Sequence, residues 1–238
     1  MHGMPLPLNF SRGGPYFAAL FFVALVAFWP TYLSKAPSAS SSYTHWHALT
    51  AALWMLMLVA QPLAIQARRW ALHRLFGRVS YVLAPLLLIS ILLLAHSRIR
   101  GLEANAYVAQ TYILYLQVSL AVLFGLSYGL AIYTRHTIAL HARSMVCTGL
   151  TLIDPIVIRL MFRANPTPSW NYQWFTFGLT DLVFVALLWL DRHSQGGRVV
   201  FLVMLLVFVI AQLPALLGLT NAPLWQAFAR WFASLQLT

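Results

Sequence analysis

Negative charge is what this sequence has least of. Four of its 238 residues are Asp or Glu, against fifteen Lys plus Arg, and charged residues make up 8% of the chain. A soluble domain carries about 25%, so neither a hydrated enzyme surface nor a disordered, highly charged chain fits this composition. Cysteine is nearly absent. The single thiol, Cys147, leaves no intramolecular disulfide and no thiolate metal cluster within the chain. Lysine occurs once, at Lys35 in the first loop, so a seven-span reading does not imply a retinal Schiff base in the last span. No Gly-rich phosphate loop and no Gly-x-Ser-x-Gly elbow occurs. The last apolar run, 198–219, lacks histidine, which argues against the seven-helix membrane hydrolases that hold zinc with a histidine pair on their final span.

What is present is apolar: 61% of residues are hydrophobic. The hydrocarbon core of a bilayer, about 30 Å thick, is crossed by about twenty apolar residues as helix. Seven segments meet that length, at 15–33, 45–67, 79–96, 108–133, 141–162, 170–190 and 198–219. The expected fold is therefore all-α: a polytopic membrane protein with a seven-transmembrane-helix bundle over 1–221 as one domain. Residues 1–14 are too polar and too rich in Pro and Gly for a signal peptide, so the first helix is expected to remain as an anchor. Residues 222–238 form a tail in which Trp225, Phe228, Trp231 and Leu235 recur at helical spacing. That pattern suits an interfacial amphipathic helix, or an aromatic-rich segment packed on the protein.

The excess of arginine reads as topology. The N-terminus and the second, fourth and sixth loops hold Arg12, Arg68, Arg69, Arg74, Arg78, Arg135, Arg143, Arg192 and Arg198; the opposite side holds Lys35, Arg98, Arg100, Arg163 and Arg230. Nine against five places the N-terminus in the cytoplasm and the C-terminus in the periplasm of a bacterial inner membrane. The expected partner of this charge is a lipid bilayer with anionic headgroups, and no nucleic acid.

Histidine supplies the first candidate site. His45, His47 and His96 fall at the outer ends of spans, and His73, His136 and His141 at the inner ends. Two such layers suit a carrier that ligates haem b near each face, with Arg68, Arg74, Arg78 and Arg143 meeting propionates. A divalent metal on His45, His47 and His96 is a variant of that reading. The bland alternative is that these histidines cap carbonyls or meet lipid phosphate at helix ends.

Ionisable groups inside the spans supply the second. Asp154, Arg159 and Asp181 each cost at least ~2.5–3.5 kcal/mol at a helix centre and are expected to face partners inside the bundle. Asp154 and Asp181 lie at comparable depths, ~13–16 Å from the outer ends at 1.5 Å per residue. They form either a proton or ligand site, or an ion pair with Arg159 that joins two helices. Pro155 is expected to kink the fifth span, and Pro62, Pro85 and Pro214 stand in three others. Gln61, Gln117 and Gln212 are placed to satisfy freed backbone groups or to line a cavity for quinone or another substrate.

Three stretches carry a resemblance. His47 is followed by Gln61-Pro62, Arg68-Arg69 and 73-HRLFGR-78, and later by 141-HARSM-145 with Arg159 downstream. Together they resemble a family of small bacterial polytopic membrane proteins of unknown function, whose pattern runs H…Q, HR-x-x-GR-x-Y and H-x-x-W-M. The family's tyrosine falls on Ser80, beside Tyr81, and its tryptophan on Ser144. The resemblance spans roughly 45–162 and implies an architecture and a set of polar positions, not a reaction. A looser similarity is to two-haem b-type transmembrane cytochromes, which implies ligand pairs His73 with His141 and His47 with His96. Three functions are thus expected: a redox protein holding haem or metal, a small-solute or proton-coupled transporter using Asp154, Asp181 and Arg159, or an accessory subunit beside a membrane-protein partner.

Overall fold

The computed structural model describes residues 9–194 and 196–238, and every regular element among them is helical. In chain order these are α1 (Gly14–Phe28), α2 (Ser42–Gln66), α3 (Trp70–Ile99), α4 (Ala104–Tyr133), α5 (Ile138–Leu150), α6 (Ile153–Ala164), α7 (Gln173–Leu190), α8 (Val199–Leu216) and α9 (Pro223–Ser234). Seven helical stretches are long and apolar enough to cross a membrane: Phe10–Leu33, Ser42–Gln66, Trp70–Ile99, Ala106–Tyr133, Ile138–Ala164, Gln173–Leu190 and Val199–Leu216. The chain is a multi-pass membrane protein. Helices suit that solvent because each satisfies its own backbone hydrogen bonds.

The third span is longer than its apolar run. It begins at Trp70 rather than at 79 and covers 30 residues, about 45 Å at 1.5 Å per residue. Its first turns therefore extend past the hydrocarbon and carry His73, Arg74 and Arg78 on helix rather than in a loop. Residues 70–78 are mostly good helix formers, and the arginines keep their heads in water while their stems follow the helix.

The fifth stretch is the central one. Its first half, α5, touches α2, α4 and α8; its second half, α6, touches α1 and α7. The span breaks at Thr151-Leu152, between the two halves. Pro155 has no N–H for the carbonyl of Thr151, and the hydroxyls of Thr148 and Thr151 bond back to the carbonyls of Met145 and Thr148 at 2.7 Å. Back-bonding of this kind bends a helix, and proline ends the ladder. Gly149 sits just before the break, where a Cβ would lie 2.5 Å from the ring of Phe17. Its lack of a side chain lets α1 close against α5.

Apolar packing fills the space around this span. Leu123, Cys147, Leu150, Phe184, Phe201 and Phe208 belong to one buried cluster shared by α4, α5, α7 and α8. Trp54, Leu83, Leu87 and Phe124 belong to a second, between α2, α3 and α4. Proline inside α2, α3 and α8 leaves each of those helices continuous.

At the end of the bundle where the chain begins, Arg143 of α5 meets Asp191, the residue after α7. Nε donates to Oδ2 and Nη2 to Oδ1, both at 2.6 Å, and Nη2 also reaches Ser194 at 2.7 Å. Nη1 donates to the Ala139 carbonyl at 2.7 Å, and the guanidinium lies 4.9 Å from the centre of the Phe10 ring. The two side chains are 4% and 0% exposed. Among the described residues this is the one ion pair. Gly197 makes it possible, since a Cβ there would stand 2.4 Å from Nη1 of Arg143.

Removing one partner of such a pair strands a buried charge. Asp191→Asn is expected to cost about 3–5 kcal/mol, and Gly197→Ala to destabilise in the same direction by pushing the guanidinium off its carboxylate. Unfolding of the two variants in detergent checks this; unchanged stability in both would show that the pair does not hold these helices together.

Candidate functional site

The structure sends the outer histidines to separate partners. His45 donates from Nε2 to the Pro37 carbonyl at 2.9 Å and accepts at Nδ1 from the Tyr32 hydroxyl at 2.8 Å. It thereby ties the first loop to α2. His47 faces Ser90 of α3 at 3.2 Å, and Ser90 in turn meets Thr50 at 2.9 Å. His96 is fully buried: Nε2 donates to the Leu235 carbonyl at 3.0 Å and Nδ1 accepts from Thr238 at 2.7 Å. Its ring stands edge-on to Phe232, 5.3 Å between centroids. Among the described residues, no three His, Cys, Asp or Glu side chains lie together as metal ligands. The expected convergence of His45, His47 and His96 is therefore not what the fold builds, because each ring is taken by a different segment.

The inner histidines are partnered differently from the outer ones. His73 and Arg74 lie in the first turns of α3, and His141 lies near the start of α5. His141 donates from Nδ1 to the Ala131 carbonyl at 2.8 Å, which leaves its lone pair on Nε2. Nδ1 of His73 is buried and has no hydrogen-bond partner, and Oε1 of Gln61 in α2 is in the same condition. Arg74 and Arg78 are exposed. Arg143, expected to be free for a propionate, is instead committed to Asp191. His2 lies outside the described residues.

The intramembrane carboxylates are placed by α6, α7 and α8. Asp154 falls in the first turn of α6, directly after the break, where the positive end of the helix dipole favours a carboxylate. Gln173, in the first turn of α7, donates to its Oδ1 and also reaches Thr176 at 3.1 Å. Asp181, about two turns further along α7, accepts from Gln212 of α8 at 2.9 Å. The two aspartates are not paired with each other. Arg159 bonds neither of them: Nη1 donates to the Pro155 carbonyl at 2.6 Å, and the guanidinium stacks over the Phe28 ring at 4.2 Å. The ion pair anticipated between Arg159 and an aspartate is replaced by a charge held against an aromatic face and its own helix carbonyl.

Asp154 and Gln212 line a cavity of about 20 Å³ together with Leu120, Leu123, Leu150 and Thr180. That is about the size of one water molecule, and the surface it exposes is apolar. Toward the end where the chain begins, successive turns bring Leu150, then Cys147, then Arg143 on α5, and Phe184 and then Asp191 from α7. The carboxylate thus sits beside a water-sized cavity, followed by an apolar layer and then by the ion pair.

Gln173, Thr176 and Asp191 are the residues that sequence reasoning missed. A polar face on the seventh span, formed by Gln173, Thr176 and Thr180 at helical spacing, is the signal for the first two. Asp191 carried no signal beyond lying one residue past a span.

The tail is docked. α9 packs on α3 and α4, burying Ala229 and Phe232. Trp225 donates from Nε1 to the Thr111 carbonyl at 3.0 Å, and Gln226 to the Thr220 carbonyl at 2.7 Å. Leu224 and Trp231 remain 85% and 56% exposed on the other side. His96 closes this arrangement, so His96→Leu is expected to release the tail. Proteolysis of residues 223–238 in folded protein is expected to quicken by at least about tenfold, the factor for a loss of 1.4 kcal/mol; equal cleavage rates would show that His96 does not hold it.

Compared with known proteins, the chain matches no family model, no curated protein and no solved structure.

Proposed function

We propose that the protein is a proton-coupled translocator of small solutes in the bacterial inner membrane, with Asp154 as its proton-carrying group. The reading rests on one observation: the carboxylate lies at the break of the central span, beside a water-sized cavity. Ionisable groups inside a bilayer are costly and are kept where they work, and discontinuous helices commonly form binding sites of secondary transporters. Gln173 holds the carboxyl and is itself held by Thr176, and the residues at 151–152 give α5 and α6 separate backbones that can tilt independently. In the arrangement described, the apolar layer around Phe184 and the Arg143–Asp191 pair close the path to the end where the chain begins. By the arginine count this end is cytoplasmic and the C-terminus periplasmic, with the exposed face of α9 at headgroup depth.

Proton movement is the direct test. Liposomes containing the full chain and an internal pH dye are expected to acidify under an imposed gradient, and Asp154→Asn to lower that rate at least about tenfold, equivalent to 1.4 kcal/mol in the barrier. An Asp154→Asn rate equal to wild type, with unfolding unchanged, would overturn the reading.

One observation favours a second reading. His73 Nδ1 lacks a partner and His141 keeps a lone pair on Nε2, on α3 and α5 at the same end of the bundle. We infer a haem b or divalent-metal site there, with a quinone or membrane-protein partner for electrons. An absorption spectrum with metal analysis decides it: a Soret band or stoichiometric metal lost in His73→Ala supports the site, and purified protein with neither sinks it.

A further inference from the structure

On the membrane face where the chain begins, the charge balance does not close. Nine arginines belong to that face, from Arg12 to Arg198, and the sequence places one carboxylate there, Asp191. Arg143 takes that carboxylate in a bidentate pair. Of the other three acids, Asp154 and Asp181 lie within spans and Glu103 lies at the opposite end, before α4. Eight guanidinium groups on this face therefore have no protein counter-charge.

They are not equivalent. Arg192 folds back onto the Trp189 carbonyl at 2.7 Å and over its ring at 4.2 Å, and Arg198 reaches the Arg192 carbonyl at 3.3 Å. Arg68, Arg69, Arg74 and Arg78 have no side-chain hydrogen bond to any described residue, and all four are exposed. Arg68 and Arg69 lie in the turn between α2 and α3, and Arg74 and Arg78 follow along the first turns of α3. Arg68 holds the turn there with a left-handed backbone, φ 56°.

The helix below this corner indicates what covers it. On α3, Trp70, Arg74, Arg78, Val82 and Leu86 recur every four residues and form one outward ridge. Trp70, Val82 and Leu86 are 52%, 63% and 48% exposed. The ridge begins with an indole, continues with two guanidinium groups and ends in aliphatic side chains. That sequence of surfaces matches one molecule with an anionic head and hydrocarbon chains. A free phosphate would use only its upper part.

We propose that the α2–α3 corner is a binding site for an anionic phospholipid, its phosphate held by Arg68, Arg69, Arg74 and Arg78 and its acyl chains lying on Val82 and Leu86. Guanidinium groups suit this role because each presents paired donors to phosphate oxygens. The site also supplies the counter-charge that the chain itself lacks.

Full-length protein in mild detergent tests this by native mass spectrometry and thermal unfolding, with added phosphatidylglycerol or phosphatidylcholine. Wild type is expected to retain phosphatidylglycerol and to be stabilised by it, and not by phosphatidylcholine. Arg74→Gln with Arg78→Gln is expected to reduce retention at least about tenfold, a change of 1.4 kcal/mol in binding, while Arg192→Gln with Arg198→Gln leaves it unchanged. All four positions are exposed, so both double variants should fold, and unfolding without added lipid confirms it. Equal stabilisation by the two lipids, equal loss in the two double variants, or stabilisation by inorganic phosphate to the same extent would each overturn the proposal.

Discussion

Inside a bilayer no water is available to complete a hydrogen bond, and that constraint organises this protein. Backbone groups are satisfied by making every span a helix. Several polar side chains in the spans are sent to a partner on another segment: Asp154 to Gln173, Asp181 to Gln212, His47 to Ser90, His96 to the tail. The one span that breaks its own ladder does so at the centre of the bundle, where other helices surround the freed groups. Gaps in that satisfaction are informative for the same reason. Among the described residues, His73 Nδ1, Gln61 Oε1 and Gln117 Oε1 are buried without partners, and the cavity beside Asp154 exposes an apolar lining.

Charge follows a second rule that grows out of the first. With four acids in the chain, the single carboxylate at the end where the chain begins goes to a fully buried pair, and the surrounding arginines look outward. A buried bidentate pair holds α5 to the segment after α7 at the closed end of the path. In the proposed lipid site the outward arginines take phosphate from the membrane. The same shortage of negative charge thus accounts for both a closed helix contact and a lipid-facing corner.

Much of the fold was legible in the sequence. Apolar runs of about twenty residues located all seven crossings, and Asp154-Pro155 marked the break. The edges were less legible. Helix propensity carries α3 outward to Trp70, where hydropathy alone stops at 79. The histidine layers were visible, but which ring meets which segment depends on how helices turn about their axes and on where the tail docks, and spacing does not encode either. His96 shows this best: its depth suggested a ligand, and its partners are Leu235 and Thr238, far along the chain. Asp191 was hidden because nothing local marks a residue that lies just past a span and pairs with one in α5.

The central claim is that the path to Asp154 is closed at one end and opens during a cycle. Cys147, the only cysteine, is buried in the apolar layer between Asp154 and Arg143 and reports on that opening. The decisive measurement is its alkylation by a water-soluble maleimide in sealed vesicles, with and without an imposed pH gradient. The account predicts slow labelling at rest, faster labelling under the gradient, and no acceleration in Asp154→Asn. A labelling rate indifferent to the gradient in the wild-type protein would contradict it.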